Sequence, residues 1–499
     1  MPGDRDADSI AAVRDLLLRS DYSTSGIARL GIDLGMGART RDVPVLLRAL
    51  EPVEPLASLI RLFVLGQVVD GSAHEKTIGR AGSAALRRAG LTQVAGGAVA
   101  PNVRLTPWRG FVFAHDPDPD DDLWPQHVSG PTPAADTLIR LVSANGGDAV
   151  DIGTGCGLFA ILLAAAQSSI VATDLNPSAL RLARLNSHLN EVTVEVREGS
   201  FFEPVRDRAF DLVVSNPPFV ISPETELLFR HSAFGRDEVS RDMVRSAATH
   251  LREGGFGYLL VNWIQPPDRP WIDVLASWLE ETGCDAVGLL HGVEDPLAYS
   301  ARWTAREQQL RPERHGHTLD RWLAHFRQER IEAIGSGAVV LRRRTGRNWS
   351  HGLELSGDPA SEAGPHVQAI FAGRDVLARI EERGAGRDAD LLRSAFRMRE
   401  PHRLTQSLVA RDGEYTADPA TLAVVTGLAL PLEVPNELVP VLLRLDGSQS
   451  GEDVAREVAA ETGGDLDLLS TRIAGFLREL LQRGLLEPAP GPTRGPAFR

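Results

Sequence analysis

An amide, two prolines and an aromatic ring stand together in Asn216-Pro217-Pro218-Phe219, directly after the apolar run DLVVS. Proline cannot donate a ladder hydrogen bond, so the strand predicted over 210–216 has to end here. The Asn216 side chain and the Pro217 carbonyl each offer an acceptor oxygen, which the prolines fix before a ligand arrives. A nitrogen that donates its two hydrogens to these oxygens would be aligned by them, while Phe219 stacks on the planar group carrying it. The segment therefore predicts a site for chemistry on an amide or amine nitrogen.

A second cluster lies in the glycine-rich stretch AVDIGTGCGLFAILLA, between a predicted strand and a predicted helix. Glycines at such a turn let the backbone approach a ligand closely. The residues predicted to line a cofactor here are Asp151, Gly153, Thr154, Gly155 and Gly157. Two alternatives remain for this stretch alone: Asp151 caps the turn, or the loop is that of a NAD-type dehydrogenase. The G-T-G-C-G spelling and the later NPPF segment disfavour the dehydrogenase.

A second carboxylate, Asp174, ends the next predicted strand, 23 residues after Asp151. A carboxylate at this position can accept both hydroxyl hydrogens of a ribose. Asn176-Pro177 follows it as a helix start, with an N-cap and a proline in the first turn. This start predicts a helix over 177–189 that fixes the turn presenting Asp174.

Strands and helices alternate from about residue 130, which predicts a doubly wound, mostly parallel α/β sheet to position these residues. The predicted strands are 149–153, 170–174, 192–199, 210–216, 257–263, 286–290 and 337–344. The predicted helices are 157–166, 177–189, 238–251 and 271–282, with a helical insertion at about 292–334. The carboxyl ends of parallel strands share one edge, so the glycine loop and NPPF are expected to meet there.

The flanking regions are predicted to be separate domains. Residues 1–122 show helical periodicity followed by a small hairpin containing FVFAH, which favours a winged-helix-like domain. Residues 123–346 form the predicted catalytic domain, 347–400 a linker with a helical segment, and 401–499 a helical, winged-helix-like domain. A good helix start is predicted at Ser450 in the last of these.

Four segments in this order, VDIGTGCG, ATDLNPSALRLARLN, REGSFFEP and DLVVSNPPF, resemble class I S-adenosylmethionine-dependent methyltransferases over about 130–345. The resemblance implies a seven-stranded Rossmann-like core, S-adenosyl-L-methionine as cofactor and S-adenosyl-L-homocysteine as product. It implies that Gly153 to Gly157 wrap the methionine part and that Asp174 holds the ribose. Leu175 would flank the adenine, with Ser200 and Phe201 at its edge. Many relatives carry aspartate where Ser200 stands, and serine is a weaker, neutral acceptor.

The NPPF segment resembles the (N/D)PP(Y/F) element of amino-methyltransferases in this fold. SNPPFVISP is similar to the release-factor glutamine branch, and also to adenine and guanine amino-methyltransferases. This chain departs from that branch in having Phe219 in place of the usual tyrosine and in its large flanking regions. The three-part arrangement looks like uncharacterised methyltransferases of high-GC bacteria. The resemblance leaves the acceptor open between a protein glutamine, a nucleobase and a small metabolite.

Two rival functions are compatible with the same sequence features. The same fold can methylate an oxygen or carboxylate of a small molecule, with the N-terminal domain serving in dimerisation or as a lid. A DNA-binding regulator that senses S-adenosylmethionine is the more distant rival. The formal net charge of −14 disfavours attraction to nucleic acid. The oligomeric state is left open.

Four further side chains are candidate contacts to cofactor or substrate: Thr132, His231, Phe234 and Trp263. Thr132, with Pro133, precedes the first strand of the core, where a loop-to-helix entry is the competing interpretation. Trp263 follows an apolar strand, where core packing competes with a role in the substrate pocket. His231 and Phe234 follow NPPF at loop distance.

The remaining features predict an ordinary globular, cytoplasmic protein. No apolar run is long enough for a membrane span, and the acidic N-terminus does not resemble a signal peptide. Cys156 and Cys284 are predicted to be buried free thiols, and no metal site is expected. The basic run 342–344 is predicted to be a solvated strand end.

Overall fold

In the computed structural model, helices and strands alternate along the chain much as the sequence pattern predicts. The structure describes residues 4–31, 43–50, 54–117, 126–224, 236–382, 387–411 and 413–489. Its contacts divide into two compact units, 1–139 with 144–352, and 140–143 with 353–499. The finer division into four domains stays a prediction.

The N-terminal region combines helices with two small antiparallel sheets. Its elements are α1 (Asp4–Arg19), α2 (Thr24–Ala28), α3 (Val43–Ala49), α4 (Pro55–Leu59), a π-helix (Ile60–Val64), β1 (Val69–Asp70), α5 (Gly71–Arg88), β2 (Thr92–Ala95), β3 (Ala98–Pro101), β4 (Arg104–Trp108) and β5 (Phe111–His115). One sheet has the order β1-β3-β2, and β4 and β5 form a hairpin. Helices and a hairpin are therefore present as predicted, while the winged-helix assignment is not confirmed.

The hairpin is bound to the helix that follows Asp174 by two asparagine side chains at the end of that helix. Ala114 donates its N–H to the Asn186 side-chain oxygen at 2.7 Å, and the Asn186 amide donates to the Ala114 carbonyl at 2.8 Å. Asn190 pairs with both backbone groups of Val112 in the same way. These two side chains satisfy the edge of β5 as a neighbouring strand would.

The catalytic region is an α/β sheet with helices on its connections. Its elements are α6 (Pro133–Leu141), β6 (Asp148–Ile152), α7 (Leu158–Ala164), β7 (Ser169–Asp174), α8 (Pro177–Leu189), β8 (Glu195–Glu198), a 3₁₀ turn (Glu203–Val205), β9 (Phe210–Ser215), α9 (Glu238–Thr249), β10 (Leu251–Ile264), α10 (Trp271–Trp278), β11 (Cys284–Glu294), α11 (Pro296–Leu310), α12 (Pro312–Gln328), β12 (Ile334–Arg343) and β13 (Ser350–Glu354).

The sheet order is β13-β11-β12-β10-β9-β6-β7-β8. Strands β10, β9, β6, β7 and β8 run parallel, whereas β12 is antiparallel to both of its neighbours. The predicted mostly parallel, Rossmann-like sheet is thus confirmed, with one strand more than the seven expected. The extra strand, β13, has the polar sequence SHGLE and lies at an edge, where no apolar pattern is required.

Register places the ends of three central strands side by side. Ile152 of β6 pairs with Thr173 of β7 on one side and with Ser215 of β9 on the other. β7 and β8 extend the sheet on one side of β6, and β9 and β10 extend it on the other, so the strand order reverses at β6. Open α/β sheets bind ligands at such a point. The glycine loop, Asp174 and Asn216 all begin at this level.

The predicted insertion is the helix pair α11 and α12. Strand β11 is antiparallel to β12, as β10 is, so β11 and β9 point the same way. The insertion leaves the carboxyl end of β11 and therefore starts at the edge that carries NPPF. Its buried side chains Tyr299, Trp322 and Phe326 pack with Val220 and Ile221, which follow NPPF.

The C-terminal unit contains more strand than predicted. Its elements are α13 (Gly364–Glu382), α14 (Arg387–Leu392), β14 (Ala395–Met398), β15 (His402–Thr405), β16 (Leu408–Arg411), β17 (Glu414–Ala417), β18 (Ala420–Val424), β19 (Leu432–Val434), a 3₁₀ turn (Asn436–Leu438), α15 (Val439–Leu442), β20 (Asp446–Ser450), α16 (Gly451–Thr462), α17 (Leu466–Gln482) and β21 (Leu486–Pro488). The helix start at Ser450 is confirmed by a capping box with Asp453. The winged-helix assignment is not confirmed here either.

Two smaller expectations have clear outcomes. Cys156 and Cys284 are buried free thiols, as predicted. The basic run at the end of β12 was predicted to be solvated, and this is wrong for two of its arginines. Arg342 and Arg344 pair with the fully buried Asp285, at 2.6 and 3.0 Å, because an unpaired buried carboxylate would be costly.

Within the described ranges, no helix has the length and apolar character needed to cross a membrane. The same ranges hold no group of three or more histidine, cysteine or acidic side chains arranged to bind a metal ion.

Candidate active site

The glycine loop is held as a tight turn by backbone hydrogen bonds. Gly153 and Thr154 both donate their N–H to the Thr173 carbonyl at 2.9 Å, so the loop is tied to the neighbouring strand. Gly153 and Gly155 have φ of 72° and 57°, values that favour glycine. A Cβ placed on either would meet no atom within 4 Å. The loop therefore borders open space that a ligand can enter.

Asp151 lies beneath this loop and is fully buried. Its Oδ2 accepts hydrogen bonds from the Thr154 hydroxyl at 2.6 Å and from the Ala160 N–H at 3.1 Å. Among the described residues, its buried Oδ1 has no hydrogen-bond partner. Burial raises the pKa of Asp151 to about 7, although the two hydrogen bonds oppose this rise. The carboxyl both supports the loop, as the capping interpretation holds, and keeps one oxygen unused.

Asp174 buttresses the loop from the side. Its Oδ2 accepts from the Gly155 N–H at 2.9 Å, and its Oδ1 accepts from the Asn176 N–H at 2.8 Å. Burial raises its pKa above the ordinary value, while these backbone hydrogen bonds act in the opposite direction. Each carboxylate oxygen can accept a further hydrogen bond, so two hydroxyls of a ligand can still be bound.

Two apolar side chains flank the open space. Leu175 and Phe201 are exposed by 54% and 38%, which is unusual for large apolar residues beside a buried sheet edge. Phe201 has a φ of 45°, a left-handed conformation rare for aromatic residues, and its carbonyl accepts from the Thr173 hydroxyl at 3.1 Å. Ser200 is half-buried beside it. Strained, exposed and apolar positions of this kind are common in ligand sites.

The NPPF segment begins where β9 ends. The Ser215 hydroxyl donates to the Ile152 carbonyl at 2.8 Å, which joins the ends of β9 and β6 directly below the two loops. Asn216 follows Ser215 as Gly153 follows Ile152, so the amide and the glycine loop lie on adjacent strands. Within the described part of the chain, no residue hydrogen-bonds the half-buried Asn216 side chain. Pro217 is buried, whereas Pro218 and Phe219 are half-buried.

The segment after NPPF is anchored by residues that sequence reasoning missed. The fully buried Tyr299 hydroxyl accepts from the Ile221 N–H at 3.1 Å and from the Asn262 side-chain amide at 2.7 Å. Glu224 accepts from the Trp322 ring N–H at 3.2 Å and from Arg321 at 2.5 Å. All these donors and acceptors except Asn262 belong to the segment after NPPF or to the inserted helices. The only sequence signal for them was the length and position of the insertion.

The other sequence candidates have different outcomes. The Thr132 hydroxyl accepts from the Ala135 N–H at 3.1 Å at the start of α6, beside Pro133, which fits the loop-to-helix interpretation. Trp263 is fully buried against Trp271 in the sheet core. The neighbouring Asn262 side chain points towards Tyr299, and side chains alternate between the two faces of a strand. Trp263 therefore points to the opposite face and does not line an open pocket.

Two candidates that follow NPPF in the sequence have no structural outcome. His231 and Phe234 lie outside the described residues. Their contact with substrate stays a prediction.

Two family models match the chain. Residues 132–270 match the model described as "Methyltransferase small domain", and residues 19–102 match "Domain of unknown function (DUF7059)". The first match contains the glycine loop, Asp174 and NPPF. The second lies in the N-terminal region and assigns it no activity.

Related protein sequences also indicate a methyltransferase. The "Putative protein N5-glutamine methyltransferase" of Methanocaldococcus jannaschii is 32% identical over 138 residues, which cover 26% of this chain and 70% of that protein. The release factor glutamine methyltransferase of Lactococcus lactis is 37% identical over 157 residues, covering 28% of this chain and 58% of that enzyme. The chain thus spans little more than half of this bacterial relative.

A methyltransferase structure from Pyrococcus furiosus is also similar, at 18% identity. The match covers 43% of this chain and 84% of that one, with a TM-score of 0.27. This score is too low for the structural likeness to add to the sequence relation.

Proposed function

The chain belongs to the class I S-adenosylmethionine-dependent methyltransferases, in the branch of the glutamine methyltransferases, and from that membership we propose that it methylates the side-chain amide nitrogen of a protein glutamine. One observation carries the proposal. The Asn216 amide stands at the end of β9, on the strand adjacent to the glycine loop, with no hydrogen-bond partner among the described residues.

The residues around the glycine loop fit the cofactor. Bound S-adenosylmethionine supplies a methyl group made electrophilic by its sulfonium. The open space above Gly153 and Gly155 accommodates the methionine part, and the unused Oδ1 of Asp151 is suited to its ammonium. Asp174 retains acceptor capacity for the ribose hydroxyls. Leu175 and Phe201 offer apolar surface to the adenine, with Ser200 as a neutral acceptor at its edge.

Asn216 and Pro217 orient the acceptor nitrogen. An amide nitrogen is a weak nucleophile because its lone pair is delocalised into the carbonyl group. Accepting both N–H hydrogens, on the Asn216 oxygen and the Pro217 carbonyl, turns that lone pair out of the amide plane and towards the donor. The prolines hold these acceptors in place, so no reorganisation is required when the substrate binds. The rate advantage comes from alignment and from the fixed dipoles.

Oxygen methylation has no corresponding support in the site. A hydroxyl or carboxylate acceptor cannot donate two hydrogens to Asn216 and Pro217. The regulator hypothesis is not favoured, because the relatives that the chain matches are methyltransferases.

The test is methylation of glutamine-containing peptides by purified enzyme, with tandem mass spectrometry locating the methyl group. We expect Asn216→Ala to lower kcat about 10²–10³-fold, the cost of removing a fixed polar group that acts on the reacting centre. Cofactor affinity, measured by calorimetry, should stay nearly unchanged. Asn102→Ala is the matched control, since Asn102 is exposed and, among the described residues, its side chain bonds only the Gly90 carbonyl.

Two results would overturn the proposal. Unchanged turnover of Asn216→Ala would show that the amide has no part in the reaction. A methyl group found on an oxygen would assign the enzyme to the other acceptor class.

A further inference from the structure

The inserted helices start at the same sheet edge as NPPF and cover it. α11 begins two residues after β11 ends, and β11 points in the direction of β9. The Tyr299 hydroxyl, three residues into α11 from its first position, binds Ile221, two residues beyond Phe219. This hydrogen bond fixes the rotation of α11 relative to NPPF. Positions one turn from Tyr299, on the same face of α11, therefore lie towards the NPPF segment.

Trp303, one turn after Tyr299, meets Phe219. Their ring centroids are 6.1 Å apart at an interplanar angle of 70°, an edge-to-face contact of the preferred kind. Both residues are half-buried, so the pair presents apolar surface to its surroundings. The aromatic member of NPPF is thus paired with a ring from the insertion.

A third group holds the Trp303 ring in position. The Arg302 guanidinium lies over this ring, 4.9 Å from its centroid, and over the Tyr299 ring at 5.3 Å. Glu294, the last residue of β11, binds the Arg302 Nε through both carboxylate oxygens at 3.0 Å. The guanidinium is thereby neutralised and oriented. Trp303 is held between this ion pair and Phe219 before any substrate arrives.

We propose that Trp303 is a specificity-determining residue that forms, with Phe219, an apolar wall of the acceptor subsite. The inference rests on the proposed function and names the part of the substrate that the wall contacts. The two methylenes of a glutamine side chain, and the peptide around them, pack on these rings while the amide reaches Asn216. Apolar stems pack well on aromatic faces, and rigid rings lose little conformational entropy on binding. The acceptor this wall fits is a glutamine in an accessible peptide segment.

The experiment measures steady-state methylation of a glutamine peptide by full-length variants. Trp303→Ala is expected to raise KM for the peptide about tenfold, the effect of truncating an anchoring aromatic residue, with kcat changed by less than about threefold. The cofactor Kd should not change. Trp303→Phe keeps a ring and should restore most of the affinity, which a purely structural role in the helix does not require.

A double-mutant cycle sharpens the assignment. If Trp303 and Phe219 form one wall, the KM increases of Trp303→Ala and Phe219→Ala will be less than additive in free energy. The chain also supplies a matched control. Trp108 packs edge-to-face on Phe113 at 6.0 Å, under Arg109, which is itself paired with Asp136. Trp108→Ala removes a tryptophan with the same kind of ring and guanidinium contacts, but at a position outside the proposed acceptor subsite. It should leave the peptide KM unchanged.

The outcomes separate the two hypotheses. Methylation of a glutamine peptide with an unchanged KM in Trp303→Ala, or an equal KM rise in Trp108→Ala, overturns this inference and leaves the proposed function standing. A wild-type enzyme that methylates no glutamine peptide in a panel, but does methylate an adenine or guanine nucleotide, overturns both.

Discussion

The cofactor half and the acceptor half of the site are built by contacts of different range. Around the glycine loop, hydrogen-bonded partners are close in sequence, 3 residues apart for Thr154 with Asp151 and 19 for Gly155 with Asp174. Around NPPF, Ile221 and Tyr299 are 78 residues apart, and Glu224 and Trp322 are 98 apart. In the proposed assignment, the direct contacts of the donor-binding loop thus lie mostly within residues 151–174, whereas the acceptor side is anchored by an inserted helix pair.

The difference in contact range implies that the acceptor side of the site can change while the cofactor loop stays the same. The glycine loop is hydrogen-bonded to β7 and α8 and to no residue of the inserted helices among the described residues, so we expect it to keep its shape when those helices change. A pocket wall on an insertion can be altered without touching that loop. We therefore expect substitutions in the cofactor half to leave the peptide KM unchanged, and substitutions in the acceptor half to leave the cofactor Kd unchanged.

Among substitutions that test the separation of the two halves, the largest effect is expected at Asp174. Asp174→Ala removes the acceptor of the Gly155 N–H and, in the proposed complex, the charge-assisted contact to the ribose. Hydrogen bonds to a charged group are worth about 1.5–3 kcal/mol, so the cofactor Kd should rise about 10- to 150-fold in calorimetry. The peptide KM should stay constant at saturating cofactor. Asp148→Ala, at the opposite end of β6 and paired with Arg252, is the matched control and should bind cofactor normally.

A smaller effect is expected on the acceptor side. Tyr299→Phe leaves the Ile221 N–H and the Asn262 amide without their acceptor, at a cost of about 1–3 kcal/mol if neither finds another partner. We expect kcat/KM for the peptide to fall about tenfold while the cofactor Kd is unchanged. Tyr22→Phe removes an equally buried hydroxyl, bonded to the Leu105 carbonyl at 2.8 Å, and should affect stability alone. A changed cofactor Kd in Tyr299→Phe would break the separation of the two halves.

The smallest effect is a pH dependence confined to the cofactor half. Burial raises the pKa of Asp151 to about 7, so this carboxyl becomes protonated as the pH falls below 7 and is less suited to an ammonium. The cofactor Kd should therefore rise roughly eightfold from pH 7.5 to pH 6, and Asp151→Asn should flatten this profile. In the cofactor-free protein, the free energy of unfolding depends on pH in the opposite direction to cofactor affinity. A raised folded-state pKa gives stability that is fully present below about pH 4 and is lost as the pH rises through 7.

The peptide KM provides the internal comparison for this profile. Asn216, Phe219 and Trp303 do not titrate in this range, so KM measured at saturating cofactor should be flat. A parallel slope in both constants would contradict the assignment of the effect to Asp151.

Local signals in the sequence predicted the cofactor half closely. The helix Pro177–Leu189 begins and ends where Asn176-Pro177 and the apolar pattern placed it, because the cap is a local interaction. The strand before NPPF ends one residue earlier than predicted, at Ser215. Proline fixes φ and glycine permits a positive φ, so the positions of these residues can be interpreted from one chain.

Long-range partners limited the remaining predictions. Nothing near residues 342–344 announces Asp285, whose burial pairs two of those arginines. Trp263 and Asn262 lie on a strand buried on both faces, so the pattern did not show which faced the site. The short polar strands between 395 and 434 lack a strong alternation and were predicted as part of a helix-rich tail. Tyr299 could be found only after the fold had joined the insertion to NPPF.

The asparagines that bind the hairpin determine where this enzyme can be cut. Asn186 is fully buried and also donates to the carbonyl of Cys156, inside the glycine loop. A fragment starting at residue 123 would lose β5 and leave the foot of that loop open to water, with four side-chain hydrogen bonds of Asn186 and Asn190 unmade. The smallest donor-binding fragment of this chain accordingly has to begin ahead of Phe111, and the hairpin travels with the catalytic sheet in any truncation or domain graft.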